Sequence, residues 1–299
     1  MTTTTSQEVT LRSRETLGLL LGLCGVIGFS VTLPATRLAV AHLDPTLVGL
    51  GRSLVAGILA AVLLRTTRQS LPSRAQFKGL AVTAAGVIVG FPLLSSWAMQ
   101  SLPAAHGAIL LAILPLFTAV AGALRTGDRP SSGFWLASLA GSGLVAIFAV
   151  YGGAGGWQGA DAVLILASLA AAVGYAEGGR LARAMGGWQV ICWALVIAAP
   201  LLLPPVIIAF LRHGAEAPLQ SWLGFAYVSV VSQLLAFFLW YQGLALGGVV
   251  RVSQVQLLQP FMTLGVAALL LGETVTPAML AFALAVVVTV AVGRRMPIA

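Results

Sequence analysis

The chain has 299 residues, 59% of them hydrophobic and 8% charged, with mean hydropathy +1.00. A soluble domain carries roughly 25% charged residues to face water, so this composition excludes a water-soluble globule and makes lipid the solvent of most of the chain. A net charge of +8 could suit a nucleic-acid binder, but the basic residues are spread along the chain as membrane-orienting charges, and no nucleic-acid partner is expected.

Charge-free stretches mark the membrane. No Asp, Glu, Lys or Arg occurs in 79–124, 130–160, 184–211, 217–250, 252–272 or 274–293, and about 20 apolar residues cross a bilayer core as a helix. Spans are expected at Leu17–Val40, Pro45–Leu64, Phe77–Gln100, Ala104–Leu124 and Gly133–Val150. Five more are expected at Ala160–Leu181, Gln189–Leu211, Trp222–Leu244, Val252–Leu271 and Pro277–Val292. Apolar spans continue to the last residues, which argues against reading the start as a signal peptide. The loops are short, so sequential helices run antiparallel. Cys24 and Cys192 both fall in spans and read as free, buried thiols, with no disulfide or metal framework.

Lys and Arg fall on one side. Arg12, Arg14, Arg65, Arg68, Arg74, Lys78, Arg125, Arg129, Arg180, Arg183, Arg251, Arg294 and Arg295 alternate with spans so as to share a face; only Arg37, Arg52 and Arg212 fall elsewhere. Thirteen against three is a positive-inside bias that places both termini in the cytoplasm. Short loops and a basic inner face suit a multi-pass protein of a bacterial inner (plasma) membrane.

The sequence also repeats itself. A shift of 145 residues lays Pro115 on Pro260, Thr118 on Thr263 and Gly127-Asp128 on Gly272-Glu273; a shift of 146 lays Gly28-Phe29 on Gly174-Tyr175 and Arg37 on Arg183. Two units follow, residues 1–152 and 153–299, each with five spans. Five is odd, so the second unit enters the membrane upside down. Inverted repeats flanking a central pathway are a transporter architecture. The expected fold is therefore all-α integral membrane, ten transmembrane helices as two inverted five-helix repeats around a central cavity.

Gly28-Phe29-Ser30 ahead of Arg37, Asp44-Pro45 ahead of Arg52, Leu102-Pro103-Ala104 leading to Leu114-Pro115-Leu116, and Gln259-Pro260-Phe261 leading to Gly272-Glu273 form an ordered pattern. It resembles the ten-helix EamA-type branch of the drug/metabolite transporter superfamily over essentially the whole chain. Within that branch the chain is similar to bacterial exporters of aromatic and other hydrophobic amino acids. The resemblance implies a basket of spans one, three, four, six, eight and nine around the cavity, with five and ten at the periphery.

Polar side chains within a bilayer are costly and face a cavity or another helix. Span nine offers Gln254, Gln256, Gln259 and Thr263, the last three on one helical face. Span eight offers Gln233, Trp240 and Tyr241; span three Phe91, Ser95 and Trp97; spans six and one Tyr175 and Phe29 at matching repeat positions. The substrate-lining set is expected to be Phe29, Phe91, Ser95, Trp97, Tyr175, Trp240, Tyr241, Gln254 and Gln256. Glutamine binds an amine or a carboxylate without charge, and aromatic walls suit an apolar tail. A zwitterion with a hydrophobic side chain fits such a wall; a nucleobase or a flat drug would fit it too. Pro115 and Pro260 read as hinges, Pro92 and Pro200 as kinks, and Gly22, Gly25, Gly86, Gly90 and Gly122 as close-packing positions.

The remaining polar groups read as structural. His106 is expected to be a surface or loop-contact histidine. Arg52, early in span two, is expected to snorkel outward or pair with Asp44. Glu177 is expected to pair with Arg180, three residues on. With no central carboxylate, obligatory proton coupling is not expected, and no phosphate-cradling Gly-x-x-x-x-Gly-Lys motif supports an ATP-driven pump. Paired acids at depth are absent, and Gly141-Ser142-Gly143 has His106 on another span with no orienting acid, so an enzyme is not expected. No ring of charges marks a channel. No cofactor or metal is expected; the partners are a small-molecule substrate and the bilayer, and the sequence is compatible with a monomer without fixing the oligomeric state.

Overall fold

A computed structural model describes residues 2–126, 131–148, 150, 158–214 and 216–295. The described residues are helical, joined by short turns, with no strand among them. We number as α1–α10 the segments that run without an intervening loop: α1 (2–40), α2 (Pro45–Thr66), α3 (Arg74–Ala98), α4 (104–126) and α5 (Ser132–Ile147), then α6 (Gly159–Met185), α7 (Gly187–His213), α8 (Leu219–Gly247), α9 (249–271) and α10 (Pro277–Arg295). Seven are long and apolar enough to cross a membrane; α5, α9 and α10 contain shorter apolar helices, at Trp135–Ile147, Val255–Leu271 and Pro277–Thr289. Large apolar side chains point away from the protein, with Leu269 86% and Leu201 76% exposed. In water that surface would drive aggregation; in lipid it is the required exterior.

Local chemistry sets the helix ends. Asp44 accepts from the backbone nitrogens of Thr46 (2.8 Å) and Leu47 (3.0 Å) and so caps α2. Ser73 and Gln76 form a capping box at the start of α3. Gly186, Gly248 and Gly272 have φ of 95°, 82° and 65°, a conformation that costs glycine least, and each ends a helix.

Several helices are irregular within the bundle, and the irregularities recur. A π-helical stretch occupies Ala84–Gly90 in α3 and another Val228–Leu235 in α8; a 3₁₀ stretch occupies Leu111–Ile113 in α4 and another Ser253–Leu258 in α9. Each pair is related by the same shift of about 145 residues that relates Pro115 to Pro260. Proline explains the 3₁₀ stretches: its ring displaces the carbonyl four residues earlier, at Leu111 for Pro115 and Gln256 for Pro260, where the tight turns sit. α1 breaks at Val31, within the turn preceding Pro34, for the same reason.

Helix neighbours follow the same shift. α1 packs along α8 as α3 packs along α6; α4 packs on α6 as α9 packs on α1; α2 packs on α7, and α5 on α10. Advancing every helix by five exchanges these pairs among themselves. Close approaches are made at glycine: a Cβ on Gly25 would lie 3.1 Å from the Ala236 carbonyl oxygen and from the Trp240 nitrogen of α8. Gly122, expected to be of this kind, would meet nothing within 4 Å. Cys192 is buried, whereas Cys24 is exposed on the outer face of α1, contrary to the expectation of two buried thiols.

Candidate functional site

Pro92 organises the centre of the bundle. Its missing N–H and the π-helical turn before it leave carbonyls of α3 without helical donors, and side chains from two other helices serve them. Ser53 of α2 donates to the Ile88 oxygen at 2.8 Å. Gln233 of α8 donates through Nε2 to the Val87 oxygen at 2.9 Å. Nearby, Thr32 of α1 and Ser232 of α8 share a hydrogen bond of 2.8 Å. Buried backbone and hydroxyl groups are thus satisfied across α1, α2, α3 and α8.

These residues border a cavity. Its wall comprises Phe29, Thr32 and Leu33 of α1, Arg52 of α2, Val87 and Phe91 of α3, Leu111 and Leu114 of α4, Ala171 and Tyr175 of α6, Ser232, Gln233 and Phe237 of α8, and Gln259 of α9. About 20 Å³ is open to the centre of a water molecule, room for a single water and too little for an amino acid. One side of the wall is aromatic: Phe29 lies 6.3 Å from Tyr175 and 5.0 Å from Phe237, centroid to centroid, and Tyr175 lies 5.9 Å from Phe237.

The expected lining residues divide into groups. Phe29, Phe91 and Tyr175 face the cavity. Trp240 is fully buried behind that wall, 5.6 Å from Tyr175 and 6.2 Å from Phe29, its indole nitrogen without a hydrogen-bond partner. Tyr241 is buried and its hydroxyl donates to the Gly174 oxygen at 3.1 Å, which ties α8 to α6. Ser95 is buried and bonds the Pro92 oxygen within its own turn. Gln256 is buried with both amide atoms unpartnered, outside the cavity wall. Trp97 is 44% exposed and outside the wall, because the last turn of α3 presents it to the surroundings. The side chain of Gln254 lies outside the described residues, as does that of Ser142. Pro115 and Pro260 each follow their 3₁₀ stretch.

Three polar groups depart from expectation. Arg52 neither snorkels nor pairs with Asp44. It is 1% exposed, its Cζ stands 5.8 Å from the Phe91 ring centroid, and its Nε and Nη1 have no hydrogen-bond partner. Asp44 is occupied in capping α2, with Oδ2 3.5 Å from His213 Nδ1. His106 is not at the surface: it is buried on α4, and its Nε2 lies 2.7 Å from Oδ1 of Asp161, itself buried at the start of α6. The acid missing from the sequence reading of His106 is therefore Asp161.

Glu273 joins the same end of the bundle. The left-handed Gly272 ends α9 and turns the chain so that Glu273 accepts from the first nitrogens of α4, Ala104 (2.8 Å) and Ala105 (2.7 Å). A carboxylate at a helix N-terminus meets both free donors and the helix dipole. At the other end of α4, Glu177 of α6 pairs with Arg180 at 2.6 Å, as the spacing implied, and also with Arg125 of α4 at 3.4 Å. Gly127-Asp128, the repeat partner of Gly272-Glu273, lies outside the described residues.

An apolar exterior and helices broken around a central cavity are the frame of a multi-pass membrane protein, and the sequence relatives make it a transporter. Residues 16–151 and 158–293 each match the EamA-like transporter family, and the chain belongs to that family, within the drug/metabolite transporter superfamily. It is 44% identical over 283 residues to the uncharacterized transporter YdeK of Bacillus subtilis strain 168, covering 95% of this chain and 99% of that one. It is 25% identical over 276 residues to a probable terminal-alkyne amino-acid exporter of Streptantibioticus cattleyicolor, covering 90% and 91%. A solved crystal structure shares the fold at TM-score 0.65 and 17% identity, covering 92% of this chain and 97% of that one.

Proposed function

We propose that the protein is an alternating-access secondary transporter that exports aromatic or other hydrophobic amino acids across a bacterial inner membrane. All ten helical segments span the bilayer, both termini are cytoplasmic, and residues 1–152 and 153–299 are two inverted five-helix repeats. Support for the repeats comes from the double family match and from helix irregularities and neighbour pairs that recur at one shift. Inverted halves can exchange conformations, which opens a central site to each side in turn.

The observation that carries the substrate reading is the cavity wall itself: Phe29, Phe91, Tyr175 and Phe237 beside Thr32, Ser232, Gln233 and Gln259. An apolar wall with a few polar groups orients a small amphipathic molecule. The curated name of the relative from Streptantibioticus cattleyicolor, a probable amino-acid exporter, agrees with this class. Glu177 is held by two arginines near one end of α4 and α6, and no acid lines the described cavity wall, so transport runs without an obligatory ion gradient.

The test is counterflow. Purified protein in liposomes preloaded with unlabelled phenylalanine is expected to take up labelled phenylalanine saturably, with no ion gradient. Uptake that rises linearly with concentration, or that needs an imposed gradient, would contradict a uniporting carrier.

A further inference from the structure

Arg52 is among the largest fully buried side chains of the protein. Guanidinium is a permanent cation with five donors and no acceptor, and a buried charge is normally paired. Here Nε and Nη1 bond to nothing. Two backbone oxygens of α3 already hold a donor each: that of Ile88 takes Ser53, and that of Val87 takes Gln233. The acids whose contacts are described are occupied elsewhere: Asp44 caps α2, Asp161 holds His106, Glu177 holds Arg180, and Glu273 caps α4. No acid is among the described residues of the cavity wall. Among the described residues the cavity wall therefore carries one positive charge, with unpartnered donors and no acid beside it.

We infer that Arg52 is the anchor for the substrate's carboxylate, and that the protein carries aromatic-sized monocarboxylates for which that group is obligatory. The inference deepens the amino-acid carrier reading and rests on it for the location of the site. A carboxylate matches the guanidinium in charge and accepts a charge-assisted hydrogen bond from an unpartnered nitrogen. The rings of Phe29, Tyr175 and Phe237 receive the tail. Gln233 commits one Nε2 hydrogen to Val87, and its Oε1 is an acceptor suited to an ammonium group. A zwitterion lies across the cavity with its carboxylate toward α2 and its amine toward α8. The cation is stored unpaired while the site is empty, and the substrate neutralises it on arrival.

The test uses the purified full chain in lipid nanodiscs, labelled phenylalanine, and three competitors: phenylalaninamide, which lacks the carboxylate, 3-phenylpropionate, which lacks the amine, and unlabelled phenylalanine. Phenylalanine and 3-phenylpropionate are expected to compete, and phenylalaninamide at least about tenfold more weakly, the value of a charge-assisted hydrogen bond. Arg52→Gln is expected to lose at least about tenfold in phenylalanine affinity, Arg52→Lys less, and the ligand-free Tm of Arg52→Gln is expected to equal or exceed that of the unmodified protein. A lowered ligand-free Tm would assign Arg52 to holding the bundle and overturn the inference. So would phenylalaninamide competing as well as phenylalanine, or failure of both carboxylates to bind. Saturable phenylalanine counterflow in liposomes, together with the amide competing as well as phenylalanine in nanodiscs, leaves the carrier reading standing and removes the anchor. Arg52-dependent binding of 3-phenylpropionate without phenylalanine binding keeps the anchor and removes the amino acid.

Discussion

Two buried polar sites on this protein differ in whether the charged group is met: the Asp161 carboxylate has two partners, although His106 Nδ1 has none. His106 and Asp161 meet at 2.7 Å where α4 and α6 begin, with Gln158 also donating to Asp161 at 2.7 Å. Arg52 at the centre has free nitrogens. A buried charge with partners fastens helices; a buried charge without them carries its desolvation cost uncompensated, the observation from which the anchor is inferred. α4 is tied to α6 at both ends, by His106–Asp161 and by Arg125–Glu177.

The comparison breaks most visibly at Asp161. Asp161→Ala strands a buried imidazole and leaves a void, and is expected to cost about 3 kcal/mol of stability, read as a lowered Tm in detergent. An unchanged Tm would mean the pair fastens nothing. Gln233→Leu keeps volume but orphans the Val87 carbonyl; a loss of about 2 kcal/mol and a raised KM for phenylalanine are expected, and a change in neither would detach Gln233 from both roles. Glu273→Ala removes the cap of α4 and is expected to cost about 1 kcal/mol, with hydrogen exchange faster at Ala104 and Ala105; unchanged exchange there would contradict the capping. Glu177→Gln is the smallest: both arginine partners are about half exposed, so the stability change stays within about 1 kcal/mol and counterflow persists. Complete loss of transport with normal membrane insertion would make Glu177 a coupling group.

The sequence disclosed the repeat because its marks, Pro115/Pro260 and Gly272-Glu273, are local and chemically distinctive. Phe29 and Tyr175 were legible as a matched pair for the same reason. Arg52 was not: seven residues into α2 lies roughly 10 Å along the helix, close enough to an end to suggest snorkelling, and only the placement of α3 and α6 turns it inward. His106–Asp161 joins positions 55 apart, which nothing in either span announces. Trp97 carries the same residue type as a wall aromatic and faces outward, since periodicity within one helix does not reveal which neighbour covers it. Phe237 was overlooked although Gln233, Phe237 and Tyr241 recur every four residues on one face of α8.

The central claim is that transport passes through the cavity of Phe29, Tyr175 and Phe237. Phenylalanine counterflow should therefore be measured side by side for Tyr175→Ala, on the wall, and Trp97→Ala, outside it. Loss of at least about tenfold for Tyr175→Ala, in keeping with an aromatic contact, beside normal flux for Trp97→Ala is the predicted result. Normal flux through Tyr175→Ala, or loss confined to Trp97→Ala, would place the pathway elsewhere.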